Sequence, residues 1–274
     1  MLFADKTILI TGGSRGIGKA IALRLAKEGA NLVIIAKSTE ENEKLGGTIF
    51  SAAKEVEAAG GKALPVKADV RFEEEVENAV TLAVQAFGGI DVVINNASAI
   101  QLSNTENTDI KRFDLIQNIN VRGSFMMVKA CLPYLKKSNN AHIITIAPPI
   151  SLNPKWLSPQ IAYTISKFSM SMMAMSWATE FKKYNIASNA LWPKTIIDTA
   201  AVRNLLGGEK MVAMSRKPQI MGDAVYHILS KTPAECSGNL FLDEDVLRNE
   251  GITDFEQYAV TPGGRLYPDL YVDK

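Results

Sequence analysis

Residues 6–18, Lys6-Thr-Ile-Leu-Ile-Thr-Gly-Gly-Ser-Arg-Gly-Ile-Gly18, decide the fold of this 274-residue chain. A short apolar run ends in glycines and passes straight into a segment with helical spacing. Over residues 16–28, Ile17, Ala20, Ile21 and Leu25 fall on one stripe, and Gly29 ends the helix. A turn made of glycines lets backbone N–H groups approach a pyrophosphate, which the helix N-terminus favours electrostatically. Gly12, Ser14, Arg15, Gly16, Ile17 and Gly18 are therefore candidate dinucleotide ligands.

The alternation continues outward from this unit. Residues 31–36, 62–68, 90–95, 142–146, 186–192 and 239–242 read as strands, with Pro65 keeping the second of these from a well-paired central place. Residues 48–59, 73–87, 109–135, 160–184 and 220–230 read as helices. Nearly continuous apolar strands separated by helices predict an α/β fold, a Rossmann-type doubly wound parallel sheet covered on both faces. No linker, repeat or low-complexity stretch divides the chain, so one domain over residues 1–274 is expected. From about residue 245 an aromatic, proline-containing tail is expected to pack on the body or on a neighbouring subunit.

The composition excludes several classes. The net charge is +1 with both signs interspersed, so no nucleic-acid partner is implied. No apolar stretch reaches the about 18 residues of a membrane span. Cys131 and Cys236 form no metal or disulfide framework, which suits a reducing compartment. Met1 leads almost directly into a strand, so neither a signal nor a transit peptide is expected, and a cytoplasmic location follows. His142 and His227 stand alone, without metal-ligand spacing.

The end of the second strand bears on which dinucleotide binds. An NAD site usually carries Asp or Glu there, on the ribose hydroxyls. Here the strand runs into Ala36-Lys37-Ser38, with no carboxylate before Glu40. Lys37 and Arg15 can together meet a 2′-phosphate, which predicts NADP(H) as cofactor. Further along, Tyr163 and Lys167 lie four apart on a predicted helix and share one face. A lysine cation beside a phenol favours the phenolate and so predicts a lowered tyrosine pKa, suited to proton exchange with a substrate oxygen.

Four motifs in order resemble the short-chain dehydrogenase/reductase family across nearly the whole chain. They are Thr11–Gly18, Asn95-Asn-Ala-Ser98 (the family pattern ends in Gly), Asn118-Ile-Asn-Val121, and Tyr163 with Lys167. Asp69-Val70 resembles the family's adenine-contacting pair. Within the family, the stretches Ala147–Trp156, Ala162–Lys167 and Asn189–Thr195 resemble a narrower group whose members carry a further sterol-carrier domain, which this chain is expected to lack. The resemblance implies hydride transfer between the nicotinamide and a carbonyl or alcohol. Tyr163 would be the acid/base, Lys167 would hold the nicotinamide ribose, and Asn120 would fix a relay water. Asn96 and Ala97 would line the cofactor, and Ile196 would face its carboxamide. The segment 199–214, with Ala200-Ala201, Leu205-Leu206 and Met211, resembles a substrate lid whose apolar content suits a lipophilic substrate, fatty acyl or steroid-like. The helix carrying Met170-Ser-Met-Met-Ala-Met175 resembles the one through which family members pair, implying a homo-oligomer, dimer or tetramer.

Two departures stand out. The family's serine, which polarises the substrate oxygen, falls on Ile150 by spacing from the tyrosine and on Pro148 by the strand end. Ser151 is the nearest hydroxyl, with Thr145 on the strand itself, so Ser151 is the candidate stand-in. Pro193-Lys-Thr195 replaces the usual Pro-Gly, and Lys194 can be read either as a steering group for an anionic substrate or as a solvated loop lysine. The missing serine leaves a second reading open: an NADP(H)-binding module with little or no turnover.

Overall fold

The computed structural model describes residues 1–42, 46–205 and 207–273. The elements follow the sequence pattern closely. In chain order they are β1 (Thr7–Thr11), α1 (Gly16–Ala26), β2 (Asn31–Ala36), α2 (Ile49–Ala58), β3 (Lys62–Lys67), α3 (Glu73–Phe87) and β4 (Val92–Asn95). Then come α4 (Ile110–Ile116), a π-helical turn over Gln117–Gly123, α5 (Ser124–Leu135), β5 (Ala141–Ile146), α6 (Pro154–Leu157), α7 (Ile161–Glu180) and β6 (Ile186–Trp192). The chain continues through α8 (Ala200–Leu205), α9 (Gly208–Ala213), α10 (Gln219–Leu229), β7 (Leu240–Leu242) and α11 (Asp243–Asn249).

Among the described residues, seven strands form one parallel sheet in the order β3-β2-β1-β4-β5-β6-β7. Residues of β1, β4, β5 and β6 are buried throughout, which is why these strands read as unbroken apolar runs. Ile8, Ile10 and Ile34 face one cluster with α1 and α10, while Leu9, Val33 and Ile35 face another with α3 and α5. Each such fully buried side chain contributes roughly 1.5–3 kcal/mol. Pro65 sits on β3, the edge strand, where its missing N–H removes no central ladder bond. The chain reverses its direction of winding between β1 and β4, and a crevice at the carboxyl ends of these strands is the ligand site such sheets provide.

Several features differ from the sequence reading, among them the helices α8 and α9 within residues 199–214, where the sequence pattern predicts no helix. The helix expected over 109–135 is interrupted by the π-helical turn, because Asn120 is drawn inward by side-chain bonds of its own and Gly123 packs tightly on Val70. The loop before residue 159 contains the short helix α6. The tail is not extended from its start: α11 occupies Asp243–Asn249, and the tail folds back on its own body. Thr195 pairs with Pro268 in an antiparallel bridge, and the Trp192 indole donates to the Leu270 carbonyl at 2.9 Å. The Leu205 side chain, Leu206 and Lys274 lie outside the described residues. No helix among those described is long and apolar enough to cross a membrane.

Candidate active site

The glycine turn is built as its sequence requires. Gly12 has φ +67°, in the left-handed region, and a Cβ on Gly18 would lie 2.5 Å from the Gly12 carbonyl oxygen. Asn96 braces this turn from the end of β4: its Nδ2 donates to Thr11 O at 2.9 Å and to Gly12 O at 3.1 Å. The Thr11 hydroxyl returns the contact by accepting the main-chain N–H groups of Asn96 and Ala97, each at 3.0 Å. Asn96 therefore shapes the loop with its side chain, a role that the sequence reading assigned only to backbone contacts.

These elements enclose a cleft of about 510 Å³. Its walls are Gly12, Ser14, Arg15, Gly16 and Ile17 from the turn, Lys37 from the end of β2, Asp69 and Val70 after β3, and Asn96 and Ala97 after β4. Ala200 and Ala201 of α8 close its far side. Gly18 lies behind the wall, in the close contact just described.

The adenosine end of the cleft is rich in cations. Arg15 donates to Ser38 Oγ and to Gly47 O, while its Nε is buried without a partner among the described residues. Burial lowers its pKa from the usual arginine value. Asp69 is gripped by Arg71, whose Nη2 lies 2.7 Å from Oδ2, and by Lys37 at 3.3 Å. Burial works to raise the Asp69 pKa, but these two cations outweigh it and hold the carboxyl below its usual range. The orphaned Arg15 N–H and the surplus of positive groups fit a phosphate-bearing ligand.

Tyr163 and Lys167 come together on α7 as their spacing requires, with the Lys167 Nζ 5.9 Å from the Tyr163 ring centre. Both are buried, at 4% and 2% exposure. The expected lowering of the tyrosine pKa is not found. Burial pushes the phenol well above its usual range, the neighbouring Tyr271 and Asp269 add to this, and a hydrogen bond from Ser98 opposes it. Burial also brings the Lys167 ammonium down to about 7, against the pull of Asp269. A lysine this close to neutrality cannot impose the charge on which the sequence expectation relied.

Asn120 is fully buried: its Oδ1 accepts Ala99 N–H at 2.8 Å, and its Nδ2 donates to Ala99 O and to Ser166 Oγ. It ties the loop after β4 to α7. Ser151 is not brought to the phenol; its hydroxyl donates to Asp273 at 3.2 Å and accepts from Asn153 N–H. Ser98 is the hydroxyl that lowers the Tyr163 pKa, although its Oγ donates to Ala99 O at 3.4 Å; its signal in the sequence was the serine closing Asn95-Asn-Ala-Ser98 where the family pattern has glycine. Ile196 does not line the cleft. Its N–H donates to Tyr267 O and its carbonyl accepts from Arg216, so its main chain is spent on the tail and on the segment between α9 and α10. Lys194 turns away from the site to Asp245 at 3.0 Å and Glu244 at 3.4 Å, which removes it as a steering group. Among the described residues no group of three or more His, Cys, Asp or Glu could hold a metal ion.

The chain belongs to the short chain dehydrogenase family, whose model matches residues 6–209. It is 53% identical over 271 residues to hydroxysteroid dehydrogenase-like protein 2 of Bos taurus, an alignment covering 99% of this chain and 64% of that protein. The chain thus spans less than two thirds of the length of such curated relatives. Among solved structures it resembles a "putative dehydrogenase from Xanthomonas campestris", with 48% identity, a TM-score of 0.96 and full coverage of both chains. It also resembles a short chain dehydrogenase of Mycobacterium thermoresistibile, with 49% identity, a TM-score of 0.94, and coverage of 100% of this chain and 97% of that one.

Proposed function

We propose that this chain is an NADP(H)-dependent oxidoreductase acting on a carbonyl or alcohol of a lipophilic substrate, with Tyr163 as its acid/base. The observation that carries the cofactor preference is Arg15, whose buried Nε lacks a partner beside Lys37 and Ser38 at the end of β2. A 2′-phosphate would satisfy that N–H and meet two cations, whereas no carboxylate stands at that strand end to hold a free 2′-hydroxyl. When bound, the cofactor supplies or accepts the hydride.

The rest of the reaction falls to side chains. In the reducing direction the Tyr163 hydroxyl gives its proton to the carbonyl oxygen. Ser98, whose hydroxyl lowers the Tyr163 pKa and donates to Ala99 O at 3.4 Å in this structure, can turn to the carbonyl oxygen as negative charge develops there. The Lys167 Nζ, bonded to Ile146 O at 2.9 Å, retains donors for ribose hydroxyls. Ala200 and Ala201 on the cleft wall suit an apolar substrate body. The exposed apolar row Ile165, Met172 and Met175 on α7 supports pairing with a second copy, and the two buried thiols suit a reducing cytoplasm.

The alternative, a cofactor-binding module with little turnover, draws its support from Pro148 and Pro149, which stand where the family's serine is expected and provide no hydroxyl. The test is NADPH and NADH titration by fluorescence, followed by NADPH oxidation against a panel of aldehydes and ketones, with Tyr163→Phe as control. Tighter NADH binding refutes the cofactor preference. Turnover untouched by Tyr163→Phe refutes the acid/base, and tight binding with no turnover across the panel favours the module.

A further inference from the structure

Residues Tyr267-Pro-Asp-Leu-Tyr-Val-Asp273 form a strap across the ends of β6 and α7. Asp269 N–H donates to Lys194 O at 3.1 Å and Tyr267 N–H to Met214 O at 3.0 Å. The strap delivers one large side chain inward. Tyr271 is 2% exposed and has φ +67°, a left-handed backbone state uncommon for an aromatic residue. Its ring centre lies 5.1 Å from that of Phe168, 5.7 Å from Trp156, 6.2 Å from Trp192 and 6.4 Å from Tyr163. Its hydroxyl is 3.0 Å from Thr164 Oγ1. Strain at the backbone is thus held in place by packing in an aromatic box, one wall of which is the acid/base tyrosine.

The strap is fastened at its far end on the surface. Asp273 accepts from Lys155 Nζ at 2.6 Å, from the Trp156 indole at 3.0 Å and from Ser151 Oγ at 3.2 Å. Asp273 and Lys155 are 49% and 48% exposed, so this fastening is weak and releasable. The cofactor cleft, meanwhile, is lined as far as Ser98 and Thr199 without reaching Tyr163. A phenol that exchanges a proton with a substrate must touch it. Tyr163 is 4% exposed and Tyr271 packs against its ring, so a substrate that approaches the phenol from this side has to displace Tyr271.

We propose that Tyr271 is a tethered plug standing in the substrate's apolar subsite, that Asp273 is its latch, and that the subsite takes a planar ring bearing a carbonyl or hydroxyl. The proposal rests on the oxidoreductase reading above and names its substrate class. Four aromatic walls around one ring favour another ring over an extended chain, and exchanging ring for ring leaves the burial of the walls unchanged. The ligand then competes only with the tether, so its apparent affinity scales with the fraction of molecules whose strap is open.

The test compares the full chain with Asp273→Ala, using 2-naphthaldehyde as the probe in isothermal titration calorimetry and hydrogen exchange of the Asp269 and Leu270 amides. Loss of the exposed latch is expected to tighten naphthaldehyde binding about fivefold and to speed strap exchange by a similar factor. NADPH affinity should stay as in the wild type, and the thermal midpoint should fall by only about 2–4 °C. Tyr271→Phe, which keeps the ring and loses the Thr164 contact, should move the same way. Equal naphthaldehyde affinity in wild type and Asp273→Ala overturns the plug. So does binding that leaves strap exchange unaccelerated, because a ligand in the box must expel the strap. Tighter binding without NADPH oxidation keeps the plug and refutes the oxidoreductase reading instead.

Discussion

The Lys167 ammonium donates to the Ile146 carbonyl at 2.9 Å and reaches no carboxylate within salt-bridge distance among the described residues. A buried cation whose hydrogen-bond partner is a main-chain oxygen is costly, and that cost, which Asp269 only partly offsets, appears as a pKa brought down from 10.5 to about 7. Stability follows with a definite sign. Between about pH 7 and 10.5 the unfolded chain holds the lysine proton and the folded chain does not, so stability rises with pH in that window. Below it both states are protonated and the folded state bears the full cost. Lys167→Met removes the effect. Thermal melts should find the variant more stable than the wild type at pH 6, on the order of a few kcal/mol, with the gap closing toward pH 10. A gap that does not change with pH would show that Lys167 is not the buried cation described.

Arg15 sets a second expectation. Charge-assisted hydrogen bonds of a guanidinium to phosphate contribute about 1.5–3 kcal/mol, so Arg15→Gln should weaken NADPH binding by roughly ten- to a hundredfold. NADH lacks the 2′-phosphate and should lose little. Lys37→Ala should act in the same direction but less, because Lys37 is already engaged by Asp69 at 3.3 Å. Fluorescence titrations with both cofactors check this: equal losses for NADPH and NADH would place Arg15 on the pyrophosphate rather than on the 2′-phosphate.

Asn96 offers a test of the loop itself. Asn96→Ala deletes both donors to Thr11 O and Gly12 O and leaves those part-buried carbonyls unpaired. The expected loss is about 1–3 kcal/mol of stability, with weaker binding of NADPH and NADH alike. Gly18→Ala should be more severe, since its Cβ would meet the Gly12 carbonyl at 2.5 Å, a backbone atom that cannot step aside. Denaturant unfolding and cofactor titration together separate a damaged loop from a lost ligand contact.

Most of the sheet was legible because its strands are buried on both faces, so hydrophobic runs, turn glycines and the edge position of Pro65 all point one way. The glycine turn and the Tyr163/Lys167 spacing were legible for the same reason: each is local, within one turn or one helix face. What local pattern could not supply was environment. The sign of the Tyr163 shift depends on burial under Tyr271, more than a hundred residues away, and on Asp269 beside it. The same long-range folding takes Ser151 to Asp273, Lys194 to α11 and the Ile196 main chain to Tyr267. Asn118, Asn120 and Gly123 are weak helix formers, but composition alone does not distinguish a π-helical turn from a helix end; the bonds of Asn120 to Ala99 and Ser166 do.

Ser98 carries the sharpest chemical expectation. Family members keep a hydroxyl after the fifth strand to hold the substrate oxygen, whereas here Pro148 and Pro149 occupy that stretch and the hydroxyl acting on Tyr163 comes from the loop after β4. If that hydroxyl replaces the missing donor, Ser98→Gly, which restores the family's glycine, should lower kcat by about 10²–10³, the usual loss for one such donor. NADPH affinity should change far less, because Ser98 reaches the phenol with its side chain and a glycine leaves its main-chain contacts intact. Ser98 also opposes the rise in the Tyr163 pKa, so its removal should move the acidic limb of the kcat–pH profile for alcohol oxidation, where the phenolate is lost, to higher pH. Ser98→Thr keeps the hydroxyl and should recover most of both effects. Steady-state rates across pH for the three proteins decide the matter: a Ser98→Gly enzyme with unchanged kcat and an unmoved profile would return the search for the oxygen-binding group to the rest of the cleft.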